Sequence, residues 1–195
     1  MMITPPPTGS LSILNQSASR GRLRFRCGGF PVWDTWIEAG SRISAPPLDS
    51  GNLVASATLV DPVTKVTYTV PARVSGKSVR LVAKMTFTAG AASFNVEQEP
   101  SNRAGYIALL NLTAAELRFS FDFLDSPFNL NTAVAAQSEQ ILDLTHLDVS
   151  AIVDCVTSAV VPIKSWSSDG VIGVDELHGQ KFPHLKLSAR EKNGL

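Results

Sequence analysis

Arg20-Gly21-Arg22-Leu23-Arg24-Phe25-Arg26-Cys27 decides the fold class of this chain. Four arginines stand at every second position, and Leu23, Phe25 and Cys27 each follow one of the last three. Successive side chains of a β-strand point to opposite faces, so this segment reads as a strand with a guanidinium row on one side and apolar groups on the other. Alternate residues stand about 6.5–7 Å apart along a strand. Such a row suits phosphates, carboxylates or an acidic protein surface.

The same period of two recurs on both sides of this segment. Leu11 and Ile13 begin one strand, and Leu53, Ala55, Ala57 and Leu59 mark another. Val79, Leu81, Ala83, Met85 and Phe87 oppose Arg80, Lys84, Thr86 and Thr88, and Leu117, Phe119, Phe121 and Phe123 oppose Arg118, Ser120 and Asp122. Turn chemistry separates these runs at Gly28-Gly29, Pro46-Pro47, Asp61-Pro62 and Asp169-Gly170. About ten short strands with such turns predict an all-β, antiparallel β-sandwich or barrel-like domain. Helix signals are few. Residues 131–142 read as a short helix capped by Asn131, with Val134, Ala135 and Ile141 inward. Thr113-Ala114-Ala115-Glu116 matches a capping box but leaves room only for a turn before the strand at Leu117. Residues 147–161 are open between strand and helix, with their β-branched content favouring strand.

The expected organisation is a flexible proline-rich arm at 1–9 and a single β-rich domain over 10–195, with 127–195 as a candidate extension or subunit-contact layer. No repeat of fixed period is evident. The chain of 195 residues is 44% hydrophobic and 17% charged, below the usual charged fraction of about 25%. Net charge is zero but uneven. Residues 1–90 hold ten Lys/Arg against four Asp/Glu, residues 91–180 three against twelve, and residues 181–195 four against one. These segments either neutralise one another within one fold or build opposed charged faces that stack copies head to tail. Cys27 and Cys155 are too few for an all-cysteine zinc site and read as two buried free thiols. The N-terminus shows no signal peptide and no run is long enough for a membrane span. Synthesis in the cytoplasm is expected, followed by incorporation into a virion or other extracellular particle. The triplets Asn15-Gln16-Ser17 and Asn111-Leu112-Thr113 match a glycosylation acceptor and, without a signal peptide, read as chance.

Catalytic patterns are weak. Ser75-Gly76-Lys77-Ser78 resembles the end of a phosphate loop, but Pro71 stands where the motif needs glycine and a strand follows where it needs a helix. His178 and His184 with Asp175 and Glu176 lack metal-ligand spacing. No serine sits in Gly-x-Ser-x-Gly, and neither cysteine has a recognisable catalytic context. No enzyme activity, cofactor or metal is expected.

The expected function is that of a structural assembly protein, of the virion or phage-tail kind, that self-associates or docks on other protein subunits. Arg20, Arg22, Arg24 and Arg26 are its candidate contacts, pairing with acids from 139–154 or 169–176 of a neighbour. One alternative is a monomeric module for glycans or lipid headgroups that uses Trp33 and Trp36. Another is a hydrolase acting near Asp175 and His178. Zero net charge argues against nucleic acid as partner, and a membrane is not expected either.

Overall fold

The computed structural model describes residues 9–48, 53–72, 74 and 78–190. The expected arm at 1–9, apart from Gly9, and most of the Ser75–Ser78 segment lie outside the described residues. Among those described there are seventeen strands and no helix. The first four are β1 (Leu11–Asn15), β2 (Gly21–Cys27), β3 (Phe30–Ile37) and β4 (Arg42–Ala45). Eight more form a continuous middle block: β5 (Leu53–Val60), β6 (Thr67–Ala72), β7 (Ser78–Thr88), β8 (Ala91–Pro100), β9 (Tyr106–Asn111), β10 (Leu117–Phe123), β11 (Asn129–Val134) and β12 (Ser138–Asp143). The last are β13 (Leu147–Val153), β14 (Val156–Thr157), β15 (Val161–Pro162), β16 (Ser168–Leu177) and β17 (Gln180–Ala189).

Where the sequence reads as one domain, the chain divides into two compact units. One comes from the segments Met1–Pro47 and His146–Leu195, the other from Leu48–Thr145. The first holds sheets ordered β17-β16-β1-β4 and β14-β13-β2-β3, with β15 also on β13. The second holds β11-β10-β5-β6 and β12-β9-β7-β8. Pairing is antiparallel except for one parallel pair in each unit, β1 with β16 and β7 with β9. Alternation buries one face of each central strand. Leu11, Ile13, Leu23, Phe25 and Val149 are core in the first unit, and Leu81, Leu109, Leu117, Phe119 and Phe121 in the second. Each such side chain contributes about 1.5–3 kcal/mol before entropy is charged.

The two units share one topology in permuted order. In the middle unit, β5 to β8 supply one half and β9 to β12 the other. In the discontinuous unit, β13 to β17 match β5 to β8, and β1 to β4 match β9 to β12. Thus β2 lies between β13 and β3 as β10 lies between β5 and β11. The long hairpins agree residue for residue. Ser168 pairs with Ala189 and Val79 with Pro100, and each pairing runs unbroken to a two-residue turn. Those turns, His178-Gly179 and Ala89-Gly90, have positive φ at both positions, the geometry that suits the twist of a two-residue hairpin. Just past the hairpins, the Arg190 amide bonds to Ser167 O as the Ser101 amide bonds to Ser78 O.

The two Asn-x-Ser/Thr triplets are the most detailed correspondence. Asn15 ends β1 and Asn111 ends β9, both fully buried. Asn15 Oδ1 accepts from the Ser17 amide at 3.0 Å and hydroxyl at 2.6 Å, while Nδ2 donates to Ser19 O and Ile37 O. Asn111 Oδ1 accepts from the Thr113 amide at 2.9 Å and hydroxyl at 2.8 Å, while its Nδ2 lies within 3.0 Å of the carbonyls of Ala115, Val134 and Ala135. Each amide therefore clamps a strand end, the turn after it and the exit of a third strand. These triplets are structural, and their amide nitrogens are closed to glycosylation in the folded chain.

Two further expectations change. The helix expected over 131–142 is β11 and β12, joined by a turn with Gln137 at positive φ, because pairing with β10 and β9 overrides local preference. Cys27 is buried as expected, but Cys155 is exposed in the turn after β13. The charge imbalance along the sequence largely dissolves in the fold. The discontinuous unit carries ten Lys/Arg against eight Asp/Glu, and the middle unit seven against nine.

Removing either clamp leaves buried carbonyls and amides without partners, each worth about 1–3 kcal/mol. Asn15→Ala and Asn111→Ala should each destabilise by about 2–4 kcal/mol. All three tryptophans, Trp33, Trp36 and Trp166, belong to the discontinuous unit. Denaturation followed by tryptophan fluorescence should therefore show the Asn15→Ala loss directly, and circular dichroism should show the other. Unchanged midpoints would refute the clamp.

Candidate functional site

β2 is an interior strand, so its outward side chains are flanked on both sides. Arg22, Arg24 and Arg26 share that outer face, half-buried, while Leu23, Phe25 and Cys27 are buried behind them. Arg20 precedes the strand. Across β3, Arg22 stands opposite Trp36 and Arg24 opposite Asp34. Across β13, Arg22 stands opposite Ile152, Arg24 opposite Ser150 and Arg26 opposite Asp148.

The row is charge-paired within the chain. Arg20 Nε lies 2.8 Å from Glu38 Oε1. Arg24 grips Asp34 through Nε at 3.1 Å and Nη2 at 3.3 Å, and Arg22 donates to the same carboxylate. Arg26 acts electrostatically on Asp148. Four guanidiniums thus share this face with three carboxylates. An incoming phosphate would have to compete with Asp34, which argues against an anion-binding groove. Trp36 is 54% exposed, with the Arg20 guanidinium 4.5 Å from its ring centre and Arg22 at 5.8 Å. Each such cation–π contact contributes about 0.5–1 kcal/mol at an exposed site, and each exposed ion pair about 0–1 kcal/mol. Together they hold an aromatic ring and its guanidiniums on a rigid sheet.

The two tryptophans proposed as a pair are separated. Three residues apart on β3, Trp33 and Trp36 face opposite sides. Trp33 is half-buried and stacks on the core residue Phe25 at 5.0 Å and 25°. Trp36 alone joins the arginines.

The hydrolase residues gather only loosely. His184 Nδ1 lies 3.1 Å from Asp175 Oδ2, with the imbedding ring lying over Gly173 where a Cβ would stand. His178 sits in the hairpin turn. Among the described residues no three His, Cys, Asp or Glu side chains are grouped to hold a metal ion.

A pair of matching hollows was not legible in the sequence. Each lies beside one asparagine clamp. In the discontinuous unit the hollow is about 240 Å³ and lined by Ser17, Ser19, Asp154, Val174, Glu176 and Lys181. In the middle unit the counterpart is about 290 Å³ and lined by Leu59, Met85, Phe87, Leu112, Thr113 and Gln137. Hydrogen bonds from Lys181 at 2.8 Å and Ser19 at 3.2 Å hold the Asp154 carboxyl below its ordinary value. Only the repeat of the Asn-x-Ser/Thr triplet signals either hollow.

No family model, curated protein or solved structure matches the chain.

Burial raises the Asp148 carboxyl above its ordinary value, against the smaller opposing pull of Arg26. One carboxylate oxygen, Oδ1, is buried without a hydrogen-bond partner among the described residues. The folded state therefore holds this proton more tightly than the unfolded chain, so ionisation of Asp148 costs stability as pH rises through the raised value. Asp148→Asn should raise the melting temperature at pH 7. The gap should close as pH falls and Asp148 itself becomes protonated. A gap independent of pH would refute this account.

Proposed function

We propose that this protein is a non-enzymatic assembly component that docks on protein subunits, including further copies of itself, through the outer face of β2 and β3. The observation that carries the reading is Trp36, a large exposed aromatic on the edge strand β3, braced by Arg20 and Arg22. Tryptophan and arginine are the side chains most often dominant in protein interfaces. Interleaved carboxylates favour a mixed-charge protein surface over a polyanion. Exposed apolar groups near the hairpin ends, Phe87 in one unit and Leu177 and Phe182 in the other, support the same reading. The setting we propose is a particle of repeated subunits, of the virion or phage-tail kind. The glycan or headgroup alternative loses its two-tryptophan platform, because Trp33 stacks inward.

Light scattering across protein concentration tests this. Wild-type protein should increase in mass, and Arg20→Ser with Trp36→Ala should shift that increase to about thirty-fold higher concentration, as expected for loss of a hot-spot contact of roughly 2 kcal/mol. Circular dichroism should be unchanged. Equal masses for wild type and variant at every concentration would reject this face as the contact.

A further inference from the structure

We infer that Trp36 of one copy seats in the apolar hollow of the middle unit of a second copy, with Arg20 and Arg22 against Asp61. This rests on the self-association proposed above and names the surface that the β2–β3 face meets.

The hollow of about 290 Å³ has room for one bicyclic ring, and Leu59, Met85, Phe87, Leu112 and Ala115 line it. Phe87 and Leu112 both leave apolar surface in water there. Covering such surface with a partner's apolar group is favourable. Trp36 is the matching occupant. It stands on the edge strand β3, with no further strand of its sheet beside it. The Arg20 guanidinium lies 4.5 Å from the ring centre, and the rest of the exposed ring is left for a partner.

Asp61 adds charge to the match. It lines the same hollow, and the Thr64 and Val63 amides hold its carboxyl below the ordinary value. Oδ1 accepts both amides at 2.8 Å, which leaves Oδ2 to meet a guanidinium. Lys65 bonds Pro62 O at 2.8 Å, and Asp61 makes no ion pair among the described residues. The residual charge of the two units has the same sense. The unit that carries Trp36 holds ten Lys/Arg against eight Asp/Glu, and the unit that carries the hollow seven against nine.

The sister hollow of the discontinuous unit does not suit an indole. Asp154, Glu176 and Lys181 line it, and Lys181 already bonds Asp154. An apolar ring there would strip water from these charges and replace none of it. Ring and hollow therefore lie on different units, and the contact is heterologous. Each copy carries both parts, so repetition extends a row of copies.

Two full-length variants test this. The ring variant, Arg20→Ser with Trp36→Ala, keeps its hollow. The hollow variant, Phe87→Ser with Leu112→Arg, keeps its ring and changes only exposed side chains. Should it fail to fold by circular dichroism, Ala114→Arg obstructs the same hollow from another exposed position. By light scattering, each variant alone should need about thirty-fold higher concentration than wild type to gain mass, as for loss of one hot-spot contact. Mixed in equal amounts where each alone is a single chain, the two should form a two-chain complex that grows no further. A mixture that stays monomeric overturns the inference. So does a hollow variant that gains mass as wild type does. In either case an impaired ring variant leaves docking through the β2–β3 face standing, with only its seat misplaced. A ring variant that matches wild type at every concentration rejects both the docking face and this seat.

Discussion

Every half of these two units, four strands or five, has one apolar face and must cover it with another half. That constraint organises both units. Phe119 and Phe121 of β10 are buried in the middle unit, and Leu23 and Phe25 of β2 hold the equivalent places in the discontinuous one. The covering half can follow directly in sequence, as β9 to β12 follow β8, or lie a hundred or so residues away, as β13 to β17 lie from β4. Hydrophobic burial does not register the difference, because it depends on area removed from water and not on chain order. The buried asparagines add direction to this non-directional force. Each fixes where a strand ends and which neighbour's carbonyls it meets, so the same fold is specified twice with little side-chain identity.

The arginine row illustrates how neighbours change the meaning of a pattern. Read along the sequence, Arg20, Arg22, Arg24 and Arg26 are an unbroken cationic ridge. In the sheet, Asp34 on β3 meets Arg22 and Arg24, Glu38 meets Arg20, and Asp148 on β13 stands across from Arg26. A cationic ridge becomes a mixed-charge surface with one exposed aromatic at its edge. The long-range field that would steer a polyanion is weakened, while the short-range geometry that suits a protein surface is kept.

Period-two alternation made most strands legible, because the core face and the wet face of β2, β5 and β10 alternate cleanly. The arginine row lies on one face for the same reason. The separation of Trp33 from Trp36 was also available from parity, since residues three apart on a strand point oppositely. Residues 131–142 misled because Val134, Ala135 and Ile141 fit a helical stripe as well as two short strands. Only cross-strand partners decide between those, and partners are distant in sequence. The two-unit organisation was hidden by permutation. Corresponding halves do not recur at one period, and the position equivalent to Arg24 is Ser120. The visible clue was the pair of Asn-x-Ser/Thr triplets, each six residues ahead of an alternating strand, at Asn15 before Gly21 and Asn111 before Leu117.

The duplicated hollows show where the two units have taken different courses. Val174 and Glu176 on β16 correspond to Met85 and Phe87 on β7 through the shared hairpin register. The clamp residue Ser17 corresponds to Thr113, and both keep the same bond to asparagine. The backbone and its clamp are therefore held constant while the lining changes from Glu176, Lys181 and Asp154 to Phe87, Leu112 and Met85. A lining that served only to fill space would be expected to close the hollow on the apolar side, where burial is favourable. Phe87 instead remains 77% exposed and Leu112 45% exposed. The clamp explains how both sites keep their shape, and the opposite chemistry of their walls means that a ligand or side chain suited to one is unsuited to the other.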